Sequence, residues 1–175
     1  MERGTGLFSV GYGNRPFAQF LDVLELHGVA HVVDVRSKPY SRFSPDFGKD
    51  RLQSNLKANG LAYTYLGDVL GGMAQNAPTT PDGRPDHAAI RESPAFLNGL
   101  RRLVAMSQGE RVAFICAELR PEDCHRTRLL GAALAGRGVE VLHIDERGRL
   151  VTQAEAVHRW TKGQVRLDAL PSISP

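Results

Sequence analysis

The 175 residues are 42% hydrophobic and 23% charged, ordinary globular values that fit one domain with a real core and argue against disorder. A net charge of +3 permits an anionic ligand but falls short of a protein that coats DNA. Two cysteines make no disulfide framework, and no apolar stretch approaches the ~20 residues that span a bilayer, so the expectation is a reduced, cytoplasmic protein without a membrane partner.

Met1–Gly6 lacks the apolar centre of a signal peptide. Leu7–Tyr12 reads as a first strand. Asn14-Arg15-Pro16 opens a helix with Phe17, Phe20, Leu21 and Leu24 inward and Gly28 as its stop. Val29–Val35, nearly all apolar, reads as a strand covered on both faces. Ser37–Gly48, with Pro39 and Pro45, is a loop. Lys49–Asn59 is a short helix on Leu52 and Leu56, and Leu61–Leu66 a third strand. Gly67–Pro94 is the least regular part, and loops this long are commonly functional.

Ser93-Pro94 starts a helix whose buried stripe is Leu97, Leu100, Leu103 and Val104. Arg111–Cys116 is the fourth strand, Glu122–Arg137 the next helix, Val139–Ile144 the fifth strand and Asp145–Gly148 a turn. Gln153–Trp160 predicts a last helix. Residues 1–165 are expected to form a single α/β domain, with 166–175 a frayed tail. The alternation of strands and helices predicts an α/β fold, a Rossmann-like three-layer sandwich around a mostly parallel, five-stranded sheet.

In such folds ligands bind beyond the carboxyl ends of the strands. Three turns deliver polar residues to that edge. Tyr12, Asn14 and Arg15 follow the first strand, and Asp34, Arg36 and Ser37 the second. Cys116 and Glu118 follow the fourth, ahead of Cys124, His125 and Arg126. Arg36 and Arg126 offer bidentate donors for phosphate, and the expected helix start at Glu122 adds free N–H groups. The alternative for Arg36 is an ion pair with Asp34 or Glu118. Glu122 and Asp123 compete with an anion at that start.

Cys124, beside Arg126 at a helix start, is placed to be a nucleophile. Cysteine phosphatases and rhodaneses also use a strand, a loop and a helix. Here, however, the interval from Cys116 to Arg126 is too long for their cradle, and it carries Pro121 and two acids rather than glycines. Cys116, Glu118, Cys124 and His125 are also zinc-ligand types, but their spacing matches no common zinc module. Adjacent Cys124 and His125 would not both reach one ion from a regular helix, so no metal and no cofactor are expected. Asp34 reads as a general base or a ribose partner, or equally as an ion pair holding a loop. His31 and His143 read as structural, and His27, His87 and His158 as surface residues. Gly11-Tyr-Gly13 permits close backbone approach without being a dinucleotide fingerprint.

Several blocks in order resemble the DUF488 family, small proteins of uncharacterised function. They are Phe8–Arg15; Val33–Ser37 with Pro39, Ser41 and Arg42; Tyr65-Leu66 with Leu70–Gly72; and Cys116–Glu118 with Pro121 and Cys124–Arg126. The resemblance runs over Leu7–Ile144 and implies a Rossmann-like domain with a site built from these blocks, but no reaction. Met73–Asp86 lies outside the pattern.

The expectation is an enzyme acting on a phosphate-bearing ligand, a nucleotide or nucleic acid. Its catalytic candidates are Asp34, Glu118, Cys116, Cys124 and His125. Its ligand-binding candidates are Tyr12, Asn14, Arg15, Arg36, Ser37, Arg42 and Arg126, with the loops Ser37–Gly48 and Gly67–Pro94 closing over the site. The alternatives are a non-catalytic ligand or nucleic-acid binding module and a thiol-dependent redox protein. The sequence sets no oligomeric state.

Overall fold

Alternation along the buried strands sorts their side chains onto two faces of one sheet. Leu7, Val33, Val112 and Phe114 pack on one side, and Phe8, Val10, Val32, Ala113 and Ile115 on the other. The computed structural model describes residues 4–163. The strands are β1 (Gly6–Gly11), β2 (His31–Asp34), β3 (Ala62–Tyr65), β4 (Arg111–Cys116), β5 (Leu142–Ile144) and β6 (Leu150–Thr152). Among the described residues the sheet has six strands in the order β3-β2-β4-β1-β5-β6. The first five are parallel, and β6 runs antiparallel to β5.

The sixth strand corrects the expected five. Leu150–Thr152 is three residues long with only Val151 buried, too short to carry an alternation signal. It arises from the Asp145–Gly148 turn, where the Asp145 carboxylate accepts the N–H groups of Arg147 and Arg149, both at 2.9 Å.

Helices α1 (Phe17–Leu26) and α2 (Lys49–Ala58) bury Phe20, Leu24, Leu52 and Leu56 on one face. The other face carries α3 (Gly67–Leu70), α4 (His87–Glu92), α5 (Pro94–Ser107) and the segment after β4, with Phe96, Leu100, Leu103, Leu129 and Leu134 inward. This is a three-layer α/β arrangement. In α5 the inward residue of the first turn is Phe96, not Leu97, because the Ser93 hydroxyl caps the Phe96 N–H and sets the phase of the helix. α4 lies within the stretch Gly67–Pro94 expected to be irregular, and Asp86 caps it by accepting the Ala89 N–H at 3.0 Å. Met73–Asp86 runs as irregular chain with one bridge, Thr79 to Pro85. No helix among the described residues is long and apolar enough to cross a membrane. The expected tail, 166–175, lies outside the described residues.

The helix expected over Glu122–Arg137 is three pieces. Pro121–Asp123 is a 3-10 turn, Arg126–Gly131 a π-helical turn, and α6 (Ala132–Ala135) a short α-helix. Gln153, at the head of α7 (Gln153–Trp160), braces the wide turn. Its amide donates to the Thr127 carbonyl at 3.0 Å, and a Cβ on Gly131 would lie 2.0 Å from its Oε1. The same Oε1 accepts from His143 Nε2 at 2.7 Å, and His143 Nδ1 faces the Ser9 hydroxyl at 2.6 Å.

Burial, helped by the nearby Arg126 charge, holds His143 down to about 4. An unfolded imidazole takes up its proton near its ordinary value of 6.5, whereas the folded one does not until about 4. The stabilisation is therefore complete above pH 6.5 and is lost as pH falls toward 4. Urea titrations across that window should show a loss of up to about 3 kcal/mol. His143→Gln should flatten the profile; an unchanged slope in that variant would assign the loss to other groups.

Candidate functional site

β1 and β4 are neighbours whose chain continuations leave toward opposite faces of the sheet, α1 on one and the 121–135 segment on the other. Such a divergence opens a crevice at the carboxyl edge. A cleft of ≈ 480 Å³ lies there, with Cys116, Glu118, Cys124 and His125 among its lining residues. A larger hollow of ≈ 790 Å³ lies at the opposite end of the strands, around Gly28, Gly60 and Arg111, and gathers no cysteine or histidine.

The four reactive groups converge. One ligand-type atom from each of Cys116, Glu118, Cys124 and His125 lies within 4.8 Å of all the others. The Cys116 thiol donates to Glu118 Oε2 at 2.7 Å. His125 Nδ1 lies 3.4 Å from Cys116 Sγ and 3.5 Å from Cys124 Sγ. The Arg126 N–H points at Cys124 Sγ from 3.4 Å. His125 Nε2 is buried without a partner, so the ring is committed to the sulfurs through one nitrogen.

Local backbone makes this convergence possible, and it corrects the expectation that Cys124 and His125 diverge on a regular helix. The helical backbone proper begins at Arg126, and Cys124 is extended at φ −125°, ψ 158°. An extended residue followed by a helical one lets adjacent side chains turn to the same side. Glu122, expected at the helix start, is instead buried and paired with Arg120 at 2.8 Å.

Both cysteines are free and buried, in unequal settings. Cys116 is pushed up by its hydrogen bond with Cys124, by burial and by the charges of Cys124 and Glu118. Cys124 is opposed by burial, yet the hydrogen bonds of Cys116 and His125 with the charge of Arg126 outweigh it and hold the thiol well below its ordinary value.

The other sequence-predicted residues lie around this cluster in distinct settings. Arg126 is fully buried; its Nη2 donates to the carbonyls of Glu118 and Leu119 at 2.9 and 3.2 Å, fixing the turn that carries Glu118. Its Nε and Nη1 are buried without partners. Arg15 donates to the Gly11 and Asp145 carbonyls at 2.6 and 2.8 Å, and burial and nearby Arg126 lower its pKa. Asn14 is exposed.

Asp34 does not join the thiols. Its register partner is Ile115, so the pleat turns it to the face opposite Cys116. There it accepts Arg36 Nε and Nη2 at 2.9 and 2.6 Å and the Tyr63 hydroxyl at 2.8 Å. Arg36 Nη1 donates to the Phe47 carbonyl at 2.7 Å. Burial acts to lower the Arg36 pKa, but Asp34 outweighs it and the net shift is upward. The guanidinium lies over Tyr12, which stacks on Phe47 with ring centroids 4.1 Å apart. Ser37 ties the loops together: its hydroxyl accepts the Met73 N–H at 2.8 Å. Arg42 is exposed, over the Phe43 ring.

Lys38, Tyr40, Arg84, His87 and Arg128 also line the cleft, and none was singled out from the sequence as a site residue. Arg128 carried a signal, standing two residues beyond Arg126. The position of His87 depends on the Asp86 cap of α4. Lys38, Tyr40 and Arg84 sit on loops whose path no periodicity encodes.

Comparison with known proteins gives a family without a reaction. A family model described as a domain of unknown function, DUF488, matches residues 16–133. No curated protein and no solved structure matches the chain.

Proposed function

The chain belongs to the DUF488 family, and since that name carries no reaction we propose a function from the cleft itself: an enzyme acting on a phosphate-bearing ligand, a nucleotide or the end of a nucleic-acid strand. The observation that carries this reading is a basic rim above a reactive floor. Lys38, Arg84 and Arg128 line the same cleft as Cys116, Glu118, Cys124 and His125. Tyr40, 78% exposed, stands between Lys38 and Arg42 and offers a stacking face for a base, with Phe43, 92% exposed, beyond it. Aromatic faces interleaved with cations are how single strands and nucleotides are held without sequence readout.

In this reading Lys38 and Arg128 take the phosphate. Arg36, whose donors serve Asp34 and the Phe47 carbonyl, and Arg126, whose Nη2 holds the Glu118 and Leu119 carbonyls, shape the walls. Glu118 is the proton-transfer group, an exposed carboxylate already accepting a proton donor at the cleft floor.

Fluorescence anisotropy with labelled nucleotides and short single-stranded oligonucleotides tests it. Lys38→Ala and Arg128→Ala should each weaken binding about tenfold, the cost of one charge-assisted contact. Binding should weaken further as salt rises. Glu118→Gln should keep affinity and lose turnover; unchanged turnover in that variant would favour the non-catalytic binding module. No saturable binding at low salt, or variants that bind like wild type, would sink the reading.

The thiol-redox alternative draws on the two sulfurs lying within 4.8 Å of each other. It requires that a thiol oxidant remove both free thiols together and that Cys116→Ser abolish activity.

A further inference from the structure

We propose that Cys116, Cys124 and His125 are three fixed ligands of a zinc ion, with Glu118 as a fourth, displaceable ligand. The inference goes beyond the phosphate reading and does not depend on it.

Its first support is geometric. Zinc bonds of ~2.0–2.3 Å in a tetrahedron separate the ligand atoms by ~3.3–3.8 Å. His125 Nδ1 lies at 3.4 and 3.5 Å from the two sulfurs, two edges of such a tetrahedron. The carboxylate oxygen completes a set spanning no more than 4.8 Å. Glu118 Oε2, at 2.7 Å from Cys116 Sγ, sits where a thiol proton holds it. A cation replacing that proton would draw sulfur and oxygen apart to an edge length. Glu118 can make that adjustment because it is exposed, whereas both cysteines are buried.

The second support is the donor chemistry. Two sulfurs and one imidazole nitrogen form a soft set that selects zinc over magnesium or calcium. Two thiolates and a carboxylate would place three negative charges together, where the Arg126 backbone N–H already points at Cys124 Sγ. A dication among them offsets that charge. The third support is the orientation of His125. Its ring presents Nδ1 to both sulfurs, so the lone pair of that nitrogen faces the point where the ion would sit.

Three buried or half-buried ligands and one exposed one describe a centre open toward the cleft. A ligand entering from the rim would displace Glu118 rather than a cysteine. A structural zinc site would hold four fixed ligands.

The test uses the whole chain, reduced and stripped with a chelator, then titrated with zinc alone against a chromophoric competitor. Wild type should bind one equivalent. Cobalt(II) in its place should give the intense visible bands of a tetrahedral site and thiolate charge transfer. Cys124→Ser and His125→Gln should each weaken zinc binding at least a hundredfold, and Glu118→Gln about tenfold, with near-ultraviolet circular dichroism confirming that each variant is folded. Substoichiometric binding by the reduced wild type, an octahedral cobalt spectrum, or folded Cys124→Ser and His125→Gln that bind like wild type would overturn the proposal. Lys38→Ala and Arg128→Ala leave the four ligands intact, so failure of phosphate binding in those variants and failure of zinc binding here are read separately.

Discussion

Asp34→Ala is expected to destabilise the fold by about 3–5 kcal/mol, the usual result of removing one member of a buried ion pair. The Asp34 side chain is fully buried and accepts from Arg36 three times, twice from the guanidinium and once from the backbone N–H, and from Tyr63 once. Without it the Arg36 charge keeps only the Phe47 carbonyl and the Tyr12 ring, and the Tyr63 hydroxyl loses its acceptor. Urea denaturation should give the loss directly. Asp34→Ala combined with Arg36→Met should recover much of it, since no unpaired charge then remains buried. The same experiment separates the two roles read for Asp34. A general base removed from a cleft would abolish turnover at little cost in stability, whereas a change under about 0.5 kcal/mol would discard the structural role.

Gly11→Ala is expected to cost at least about 3 kcal/mol, the upper end of ordinary overpacking, and to disturb the site as well. A Cβ there would lie 1.8 Å from the Glu118 carbonyl oxygen and 2.9 Å from Arg126 Nη2. Both obstacles are held: the carbonyl is in the turn that Arg126 ties down, and Arg126 has no exposed surface through which to move. The turn would have to lift, carrying Glu118 away from Cys116. Thermal denaturation and zinc titration of this variant should therefore fall together. A variant as stable as wild type would show that the turn yields freely.

How far the site was legible depended on whether backbone or packing decided each residue. The apolar run Val29–Val35 and the parallel strands around it were readable because a strand covered on both faces needs little else. The helix expected over Glu122–Arg137 was legible as helical chain, but not that its first turn would be wide. That width rests on Gln153 meeting Gly131, a contact between residues far apart in sequence. The same gap hid the thiol cluster. Assuming a regular helix from Glu122 forced Cys124 and His125 apart, whereas extended Cys124 brings them together. Asp34 was counted toward the edge of the sheet correctly, but pleat parity, which requires the register, puts it on the other face from Cys116.

The strand order has a kinetic consequence. β4 lies between β2 and β1, so Gly6 pairs with Arg111 and His31 with Val112. Chain leaving the ribosome must carry its first two strands with a strand-wide slot between them until β4 arrives. The pairings that close this sheet join distant parts of the chain, which makes folding slower than for a helical bundle of similar length. The strand that fills the slot ends in Cys116. Filling the slot also places the first residue of the thiol cluster, and a chain interrupted before β4 has neither its central strand nor its site.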